Sequence, residues 1–218
     1  MKFSHIIILL LAIALRPASM SAQAAADSDP YPDYQEDVFM DMDFEENLLT
    51  PAVGKEAQKA VRAYMERVAK GLRHRYTVDL LRNGEVFCVT IPTDDLFLPN
   101  DTLFSQYAAP HINPLVELMK DPYMYKVVAA IHTDDTGSEA YRRNLSEARI
   151  HSLYDWFMDG IDNGSIPEDI VFVAFARGSD DPLKPNDTRS HRKNNRRLEL
   201  YFIPGPRMIE KANEKKLK

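Results

Sequence analysis

Hydrophobic and polar positions follow two different periods along the chain, and these periods predict its helices and strands. Apolar residues three and four positions apart predict amphipathic helices, whereas short apolar or alternating runs predict strands. The helical segments are residues 53–73, 104–119, 138–159 and 188–194. The strands are a hairpin over residues 76–91 and single strands over residues 126–131, 170–176 and 196–203. After the hairpin, helices and strands alternate, which predicts an α/β fold: a two-layer sandwich with helices packed on a mixed sheet.

The hairpin signal is the sequence YTVDLLRNGEVFCVTI. Asn83 and Gly84 join its two strand-like runs, and this pair is favoured in a type I′ turn. Cys88, the only cysteine of the chain, lies in the second run. A single cysteine forms no intrachain disulfide, and we interpret Cys88 as a small core residue.

One charged residue interrupts the apolar face of the helix over residues 138–159. At about 100° per residue, Leu145, Leu153 and Trp156 fall on one side of this helix, and Arg149 lies among them. An arginine cannot lose its proton to escape a low dielectric. Arg149 therefore needs a negative partner, either within the chain or in a ligand.

The first residues are typical of a secretory signal peptide. Lys2 gives a positive start, residues 6–15 form an apolar run, and the small residues ASMSAQAAA follow. The run is too short for a permanent membrane helix, which needs about 20 residues. We expect removal of residues 1–24, with cleavage after Ala22 or Ala24, and an exported mature protein without a transmembrane segment. No cysteine lies near the cleavage site, so we do not expect a lipoprotein anchor.

The two ends of the mature chain differ in charge. Residues 27–46 contain nine Asp or Glu and no Lys or Arg, a composition expected to repel itself and remain largely unfolded. We therefore interpret residues 25–52 as an acidic flexible arm. Large apolar side chains leave a second interpretation open, in which the arm docks onto the domain or onto an envelope protein partner. They are Tyr31, Tyr34, Phe39, Met40 and Phe44. Residues 204–218 are a basic tail that we expect to fray.

Composition narrows the function classes. The chain has 218 residues, of which 44% are hydrophobic, and this suits one domain with some extra sequence. The net charge of −6 argues against nucleic-acid binding, which usually requires a basic excess. Residues 53–84 supply a helix and a hairpin strand that lead into the main domain.

An ordered set of short motifs marks the C-terminal half. They are His132-Thr133-Asp134, Gly137, Leu145-Ser146-Glu147-Ala148-Arg149, Pro182 with Asn186 and Thr188, Arg192, and Asn195-Arg196-Arg197, with Phe97 and Asn100 upstream. No single motif is specific, but their order and spacing over residues 85–203 resemble the OmpA-like domain. This family is the peptidoglycan-associating module of Gram-negative cell envelopes. The resemblance implies a βαβαβ-type domain.

The chain departs from this family at three positions. Ile131 replaces a glycine before the histidine, Arg142 replaces an asparagine on the helix, and His191 replaces a glycine before the loop arginine. We expect Arg142 to lie near the ligand side of the helix and to add a positive charge there.

The resemblance also implies a ligand site. Family members bind the diaminopimelate residue of the peptidoglycan stem peptide, whose free end carries an ammonium and a carboxylate. Asp134 follows the carboxyl end of a strand, where ligands of open α/β sheets commonly bind. Asp134 would accept from the ammonium, and Arg149 would donate two parallel hydrogen bonds to the carboxylate. The resemblance places Asn100 and Arg196 in the same site. The competing interpretation is that Asp134 and Arg149 form a buried ion pair with each other.

Other functions have weaker support in the sequence. His132 and Asp134 are too few for a zinc site, and we expect neither a metal nor a cofactor. No nucleophile–base pair is apparent, so we do not expect an enzyme. The sequence thus predicts a periplasmic protein that binds peptidoglycan and tethers it to the outer membrane or to a partner. The alternative is an adaptor that has lost wall binding and contacts proteins through the acidic arm, which Arg142 and Ile131 would favour.

Overall fold

A single five-stranded mixed sheet organises the chain. The computed structural model describes residues 29–218, so the predicted signal peptide lies outside the described residues. The strands are β1 (Thr77–Leu81), β2 (Val86–Pro92), β3 (Tyr125–His132), β4 (Phe172–Gly178) and β5 (Arg197–Pro204). Their order in the sheet is β1-β2-β5-β3-β4, and only the β3–β4 pair is parallel. The last strand therefore lies in the middle, beside β3.

The predicted hairpin is present, but its turn is longer than predicted. Leu81 pairs with Val86, so four residues connect β1 to β2 instead of two. Arg82, Asn83 and Gly84 all have positive φ angles, of 49°, 55° and 91°. Arg82 also donates hydrogen bonds to the carbonyl groups of residues 48 and 51, and this tertiary contact overrides the local preference for a type I′ turn.

Four helices cover one face of the sheet. They are α3 (Lys55–Leu72), α4 (Ala109–Met119), α5 (Glu139–Asp162) and α7 (Pro206–Asn213). The core between them and the sheet is apolar and includes Met65, Leu115, Leu153 and Phe202. A shorter helix, α6 (Arg189–Asn195), precedes β5. This arrangement confirms the predicted fold class, a mixed sheet with helices packed on it.

α4 and α7 differ most from the sequence prediction. α4 starts at Ala109 and not at residue 104, with Pro110 in its first turn, where the missing N–H of proline is tolerated. The basic tail does not fray throughout: residues 206–213 form α7, because Met208 and Ala212 are buried in the core. The hydrophobic spacing of this segment outweighs its charge.

The acidic segment covers part of the opposite face of the sheet, which corrects the expectation of an unfolded arm. It contains α1 (Glu36–Met40) and α2 (Phe44–Leu49). Asp43 and Glu46 form a reciprocal capping box at the start of α2. The ring of Phe44 packs edge-on against Phe175 and Tyr201 of the sheet. Since the carboxylates point outward while the aromatic rings are buried, charge density does not prevent folding here.

Lys126 of β3 holds the acidic segment against the sheet through hydrogen bonds to Asn47. Its side chain is fully buried, and Nζ donates to the backbone oxygen of Asn47 at 2.7 Å and to Oδ1 of the same residue at 3.2 Å. The ammonium also lies 4.2 Å from the centre of the Phe39 ring. Burial lowers the pKa of Lys126 to about 7, and the nearby charge of Arg82 adds to this effect.

The rest of the described chain agrees with a single domain. Residues 33–218 form one compact unit. Cys88 is buried in β2, on the sheet face that the acidic segment partly covers. Within residues 29–218, no helix has both the length and the apolar character needed to cross a bilayer.

Candidate functional site

A cavity of about 420 Å³ opens where β3 ends and α5 begins. The loop before α4 and the start of β5 complete its walls. It is lined by Asp94, Phe97, Pro99, Asn100, Thr133, Asp134, Thr136, Tyr141, Arg142, Leu145, Arg149, Arg189 and Arg196. All four residues that the sequence assigned to a ligand site, Asp134, Arg149, Asn100 and Arg196, are therefore brought to one cavity.

Asp134 lies in the loop directly after β3 and is almost fully buried. Oδ1 accepts a hydrogen bond from the backbone N–H of Thr136 at 2.9 Å, and Oδ2 accepts one from Arg196 Nη1 at 2.7 Å. Burial alone would raise the pKa of Asp134, but the hydrogen bonds from Thr136 and Arg196 outweigh burial, and the pKa falls below its usual value. Asp134 is therefore an anion at neutral pH.

Arg149 is buried on the inner face of α5, with only 4% of its surface exposed. Nε donates to the backbone oxygen of Asp101 at 3.0 Å, and the guanidinium lies 4.7 Å from the centre of the Phe97 ring. Within residues 29–218, no carboxylate oxygen lies within 4.0 Å of this guanidinium, and its two terminal amino groups have no hydrogen-bond partner. Burial lowers the pKa of Arg149, although an arginine remains charged in proteins.

The motif Asn195-Arg196-Arg197 sends its three side chains to three places. Asn195 is fully buried and holds the preceding loop through Lys184 and Asn186. Arg196 reaches the cavity, where it pairs with Asp134 and with Asp94. Arg197 turns to the opposite face of the sheet and pairs with Glu199 at 2.8 Å. The turn from α6 into β5 thus places a single arginine of the pair at the cavity.

Asn100 borders the mouth of the cavity in a left-handed backbone conformation, with φ of 59°. Its Oδ1 accepts a hydrogen bond from the Tyr141 hydroxyl at 3.2 Å. Gly137 makes this contact possible, since a Cβ atom there would lie 2.7 Å from the Tyr141 ring, and its φ of +84° also disfavours side chains. The loop glycine of the motif therefore shapes the mouth of the cavity.

The three departures from the family pattern have different structural outcomes. Ile131 is fully buried in the core on the helix side of the sheet. Arg142 lines the cavity, but it donates to Ser179 Oγ at 2.7 Å and to the backbone oxygen of Gly137 at 2.6 Å. Its guanidinium thereby braces the loop. His191 lies on the surface, with Nδ1 2.6 Å from Asp187.

His132 does not line the cavity. It is buried, and its Nε2 lies 3.0 Å from Glu199 Oε2. Burial lowers the pKa of His132, so its ring is neutral at pH 7. Burial would raise the pKa of Glu199, but the contacts with His132, Tyr201 and Arg197 outweigh burial and lower that pKa to about 2. Among residues 29–218, no group of three or more His, Cys, Asp or Glu side chains could hold a metal ion.

Sequence reasoning missed two charged residues of the cavity. Asp94 lies in a short 3-10 turn after β2 and binds Arg196 with both carboxylate oxygens. Arg189 lies at the start of α6. No sequence signal separates Asp94 from its neighbour Asp95, because a pairing across 102 positions is set by the tertiary fold alone.

The fold is similar to those of known bacterial structures. A MotB-like protein from Desulfovibrio vulgaris matches with a TM-score of 0.55 and 19% identity, over 69% of this chain and 94% of that protein. The cell wall anchor of the type VI secretion system from Pseudomonas aeruginosa gives a TM-score of 0.49 and 21% identity, over 66% of this chain and 96% of that protein. The periplasmic domain of Helicobacter pylori MotB gives a TM-score of 0.47 and 20% identity, over 63% of this chain and 87% of that domain.

These similarities concern the fold. No protein-family model and no curated protein sequence matches the chain. The Desulfovibrio vulgaris protein shares the mixed sheet with helices packed on it, and this agreement supports the predicted architecture.

Proposed function

We propose that this domain binds peptidoglycan without covalent chemistry, by holding the diaminopimelate residue of the stem peptide between Asp134 and Arg149. The proposal rests mainly on one observation, the burial of the Arg149 guanidinium without a close carboxylate partner in the described chain. Its charge is buried at the cavity, and within residues 29–218 no carboxylate oxygen lies within 4.0 Å of it, although Asp94 and Asp101 attract it from a greater distance. An unpaired buried charge costs several kcal/mol. A ligand carboxylate would offset that cost.

The chemistry of the ligand matches the two residues. The free end of diaminopimelate is a small amino acid, with an ammonium and a carboxylate on the same carbon. The terminal amino groups of Arg149 can donate two parallel hydrogen bonds to the carboxylate. Asp134 retains lone pairs beyond those used by Thr136 and Arg196, so it can also accept from the ammonium. Asn100 and Arg196, which line the same cavity, would complete the site.

The competing interpretation, an internal Asp134–Arg149 ion pair, has no support in the geometry. Asp134 pairs with Arg196 and not with Arg149. Arg149 stacks on Phe97 and uses only one of its five N–H groups within the described chain. Both residues thus keep hydrogen-bonding capacity for a ligand.

The proposed place of action is the periplasm. The sequence signal in residues 1–24 directs export, and peptidoglycan lies in that compartment. Binding to the wall would tether it to the outer membrane or to a partner protein. The adaptor alternative finds some support in the acidic segment, which exposes Val38, Met40 and Leu49 on its outer surface.

Co-sedimentation with purified sacculi tests the proposal. The Arg149→Met and Asp134→Asn variants should each bind at least about tenfold more weakly, since a charge-assisted hydrogen bond contributes roughly 1.5–3 kcal/mol. Arg143→Met is the matched control, because Arg143 is exposed on the same helix and pairs only with Glu139. Its binding should equal that of the parent protein.

The melting temperature separates a ligand site from a structural ion pair. Arg149→Met removes a buried charge together with its hydrogen bond to Asp101 and its contact with Phe97, and should lower stability by no more than about 1–2 kcal/mol. Loss of a buried ion-pair partner would cost roughly 3–5 kcal/mol. Undiminished sacculus binding by a folded Asp134→Asn or Arg149→Met variant would contradict the proposal. A parent protein that does not bind sacculi at all would favour the adaptor.

A further inference from the structure

Arg196 is held between two carboxylates at the wall of the cavity. Its Nε and Nη2 donate to Oδ1 and Oδ2 of Asp94 at 2.9 and 2.7 Å, a bidentate pair. Its Nη1 donates to Oδ2 of Asp134 at 2.7 Å. Asp94 therefore takes two donor groups of this guanidinium and leaves Asp134 one.

This division matters because Asp134 and Arg196 attract each other strongly. A guanidinium that lacks a second partner binds a carboxylate most favourably with two parallel hydrogen bonds. Such a pair would occupy both oxygens of Asp134, one of which already accepts from Thr136. An incoming ammonium would then meet a neutralised carboxylate beside a positive charge.

We propose that Asp94 is the positioning residue of the site: by holding Arg196 with both of its oxygens, it keeps Asp134 available for a ligand ammonium. The same contact keeps Arg196 at the cavity wall, where its remaining N–H groups can donate to a ligand carboxylate. The site therefore selects ligands that carry an ammonium and a carboxylate together. This inference rests on the proposed function and adds a residue that makes no ligand contact of its own.

The electrostatics of the pair agree with this role. The hydrogen bonds from Arg196 lower the pKa of Asp94 despite its partial burial, so Asp94 remains charged at neutral pH. Asp95 provides a matched control. It has the same charge one position away, lies half exposed near His111, and does not line the cavity.

A double-mutant cycle tests the inference, with the soluble tripeptide L-Ala-γ-D-Glu-meso-diaminopimelate as the probe in NMR titrations. Asp94→Asn should weaken binding about tenfold, and Asp95→Asn by less than about twofold. In an Arg196→Gln background, Asp94→Asn should have almost no further effect, because its role acts through Arg196. A merely structural role in the turn would give the same loss in both backgrounds.

The outcomes distinguish this inference from the proposed function. If Arg149→Met loses the probe while Asp94→Asn binds it as tightly as the parent, the positioning role is wrong and the proposed function stands. Additive effects of Asp94→Asn and Arg196→Gln, or equal losses from Asp94→Asn and Asp95→Asn, would also overturn the inference. If the parent protein binds neither probe nor sacculi, both proposals fail together.

Discussion

The buried lysine beneath the acidic segment predicts an unusual dependence of stability on pH. Lys126 has an ordinary pKa of 10.5 when the chain is unfolded and a pKa of about 7 when it is folded. Between these values the unfolded chain binds one proton more than the folded chain does. The free energy of unfolding must therefore rise as pH increases above 7.

The magnitude follows from the two pKa values. Each unit of difference corresponds to about 1.4 kcal/mol, so the charged lysine costs roughly 4 kcal/mol of stability at pH 7. Raising the pH from 7 to 8 should recover about 1 kcal/mol of this cost. The window ends near pH 8, because the unfolded Cys88 thiol begins to ionise above it, whereas burial raises the pKa of that thiol in the folded protein.

Urea denaturation at pH 6.5, 7.0, 7.5 and 8.0 measures this slope in the parent protein and in Lys126→Met. The variant should lose most of the rise and keep only the part near pH 6.5 that His132 contributes, because burial lowers its pKa too. The exposed Lys120 supplies the control Lys120→Met, which should keep the full rise. The test is the change of the unfolding free energy with pH and not its absolute value. Lys126→Met also leaves the oxygens of Asn47 without their donor, which lowers stability at every pH. Parallel profiles for the parent and Lys126→Met would refute the reasoning.

Two further predictions concern the mouth of the cavity and the acidic segment. Gly137→Ala should lower the free energy of unfolding by about 1–2 kcal/mol, because it places a side chain at positive φ and against the Tyr141 ring. It should also weaken sacculus binding, and both quantities are measured on one preparation. Parent-like values would show that the Tyr141–Asn100 contact is dispensable. Residues 33–50 should resist limited proteolysis in the parent protein. Phe44→Ala removes the ring contacts with Phe175 and Tyr201 and should make these residues the first site of cleavage. Early cleavage of the parent protein would instead support the interpretation of the segment as a flexible arm.

The layered fold could be predicted from the sequence because its core follows short periods. All five strands were predicted to within about two residues at each end from local apolar runs, and α5 from its helical spacing. Ser138 accepts a hydrogen bond from the backbone N–H of Tyr141, as a helix cap should. What failed was the state of the two terminal segments. Their charges indicated solvent, while a few large apolar residues in each, such as Phe39 and Met208, determined that they pack.

The candidate site was predictable only in part. The family resemblance indicated Asp134 and Arg149, which lie at one cavity, but the pairing within that cavity did not follow from the sequence. Arg196 and not Arg149 contacts Asp134, and Asp94 completes the arrangement from 102 residues away. Periodicity describes which side of an element a residue faces. It contains no information on which of several charges across a cavity lie within hydrogen-bonding distance.

The turn from α6 into β5 also restricts how this chain can evolve. Asn195, Arg196 and Arg197 serve a loop, a cavity and the far face of the sheet, and each function depends on the direction that one position imposes. Substitutions at the three positions can be selected separately, because their partners are separate. Insertion or deletion of a single residue would instead redirect every later side chain of β5 to the wrong face at once. The length of this segment is therefore expected to be far less free to change than its composition.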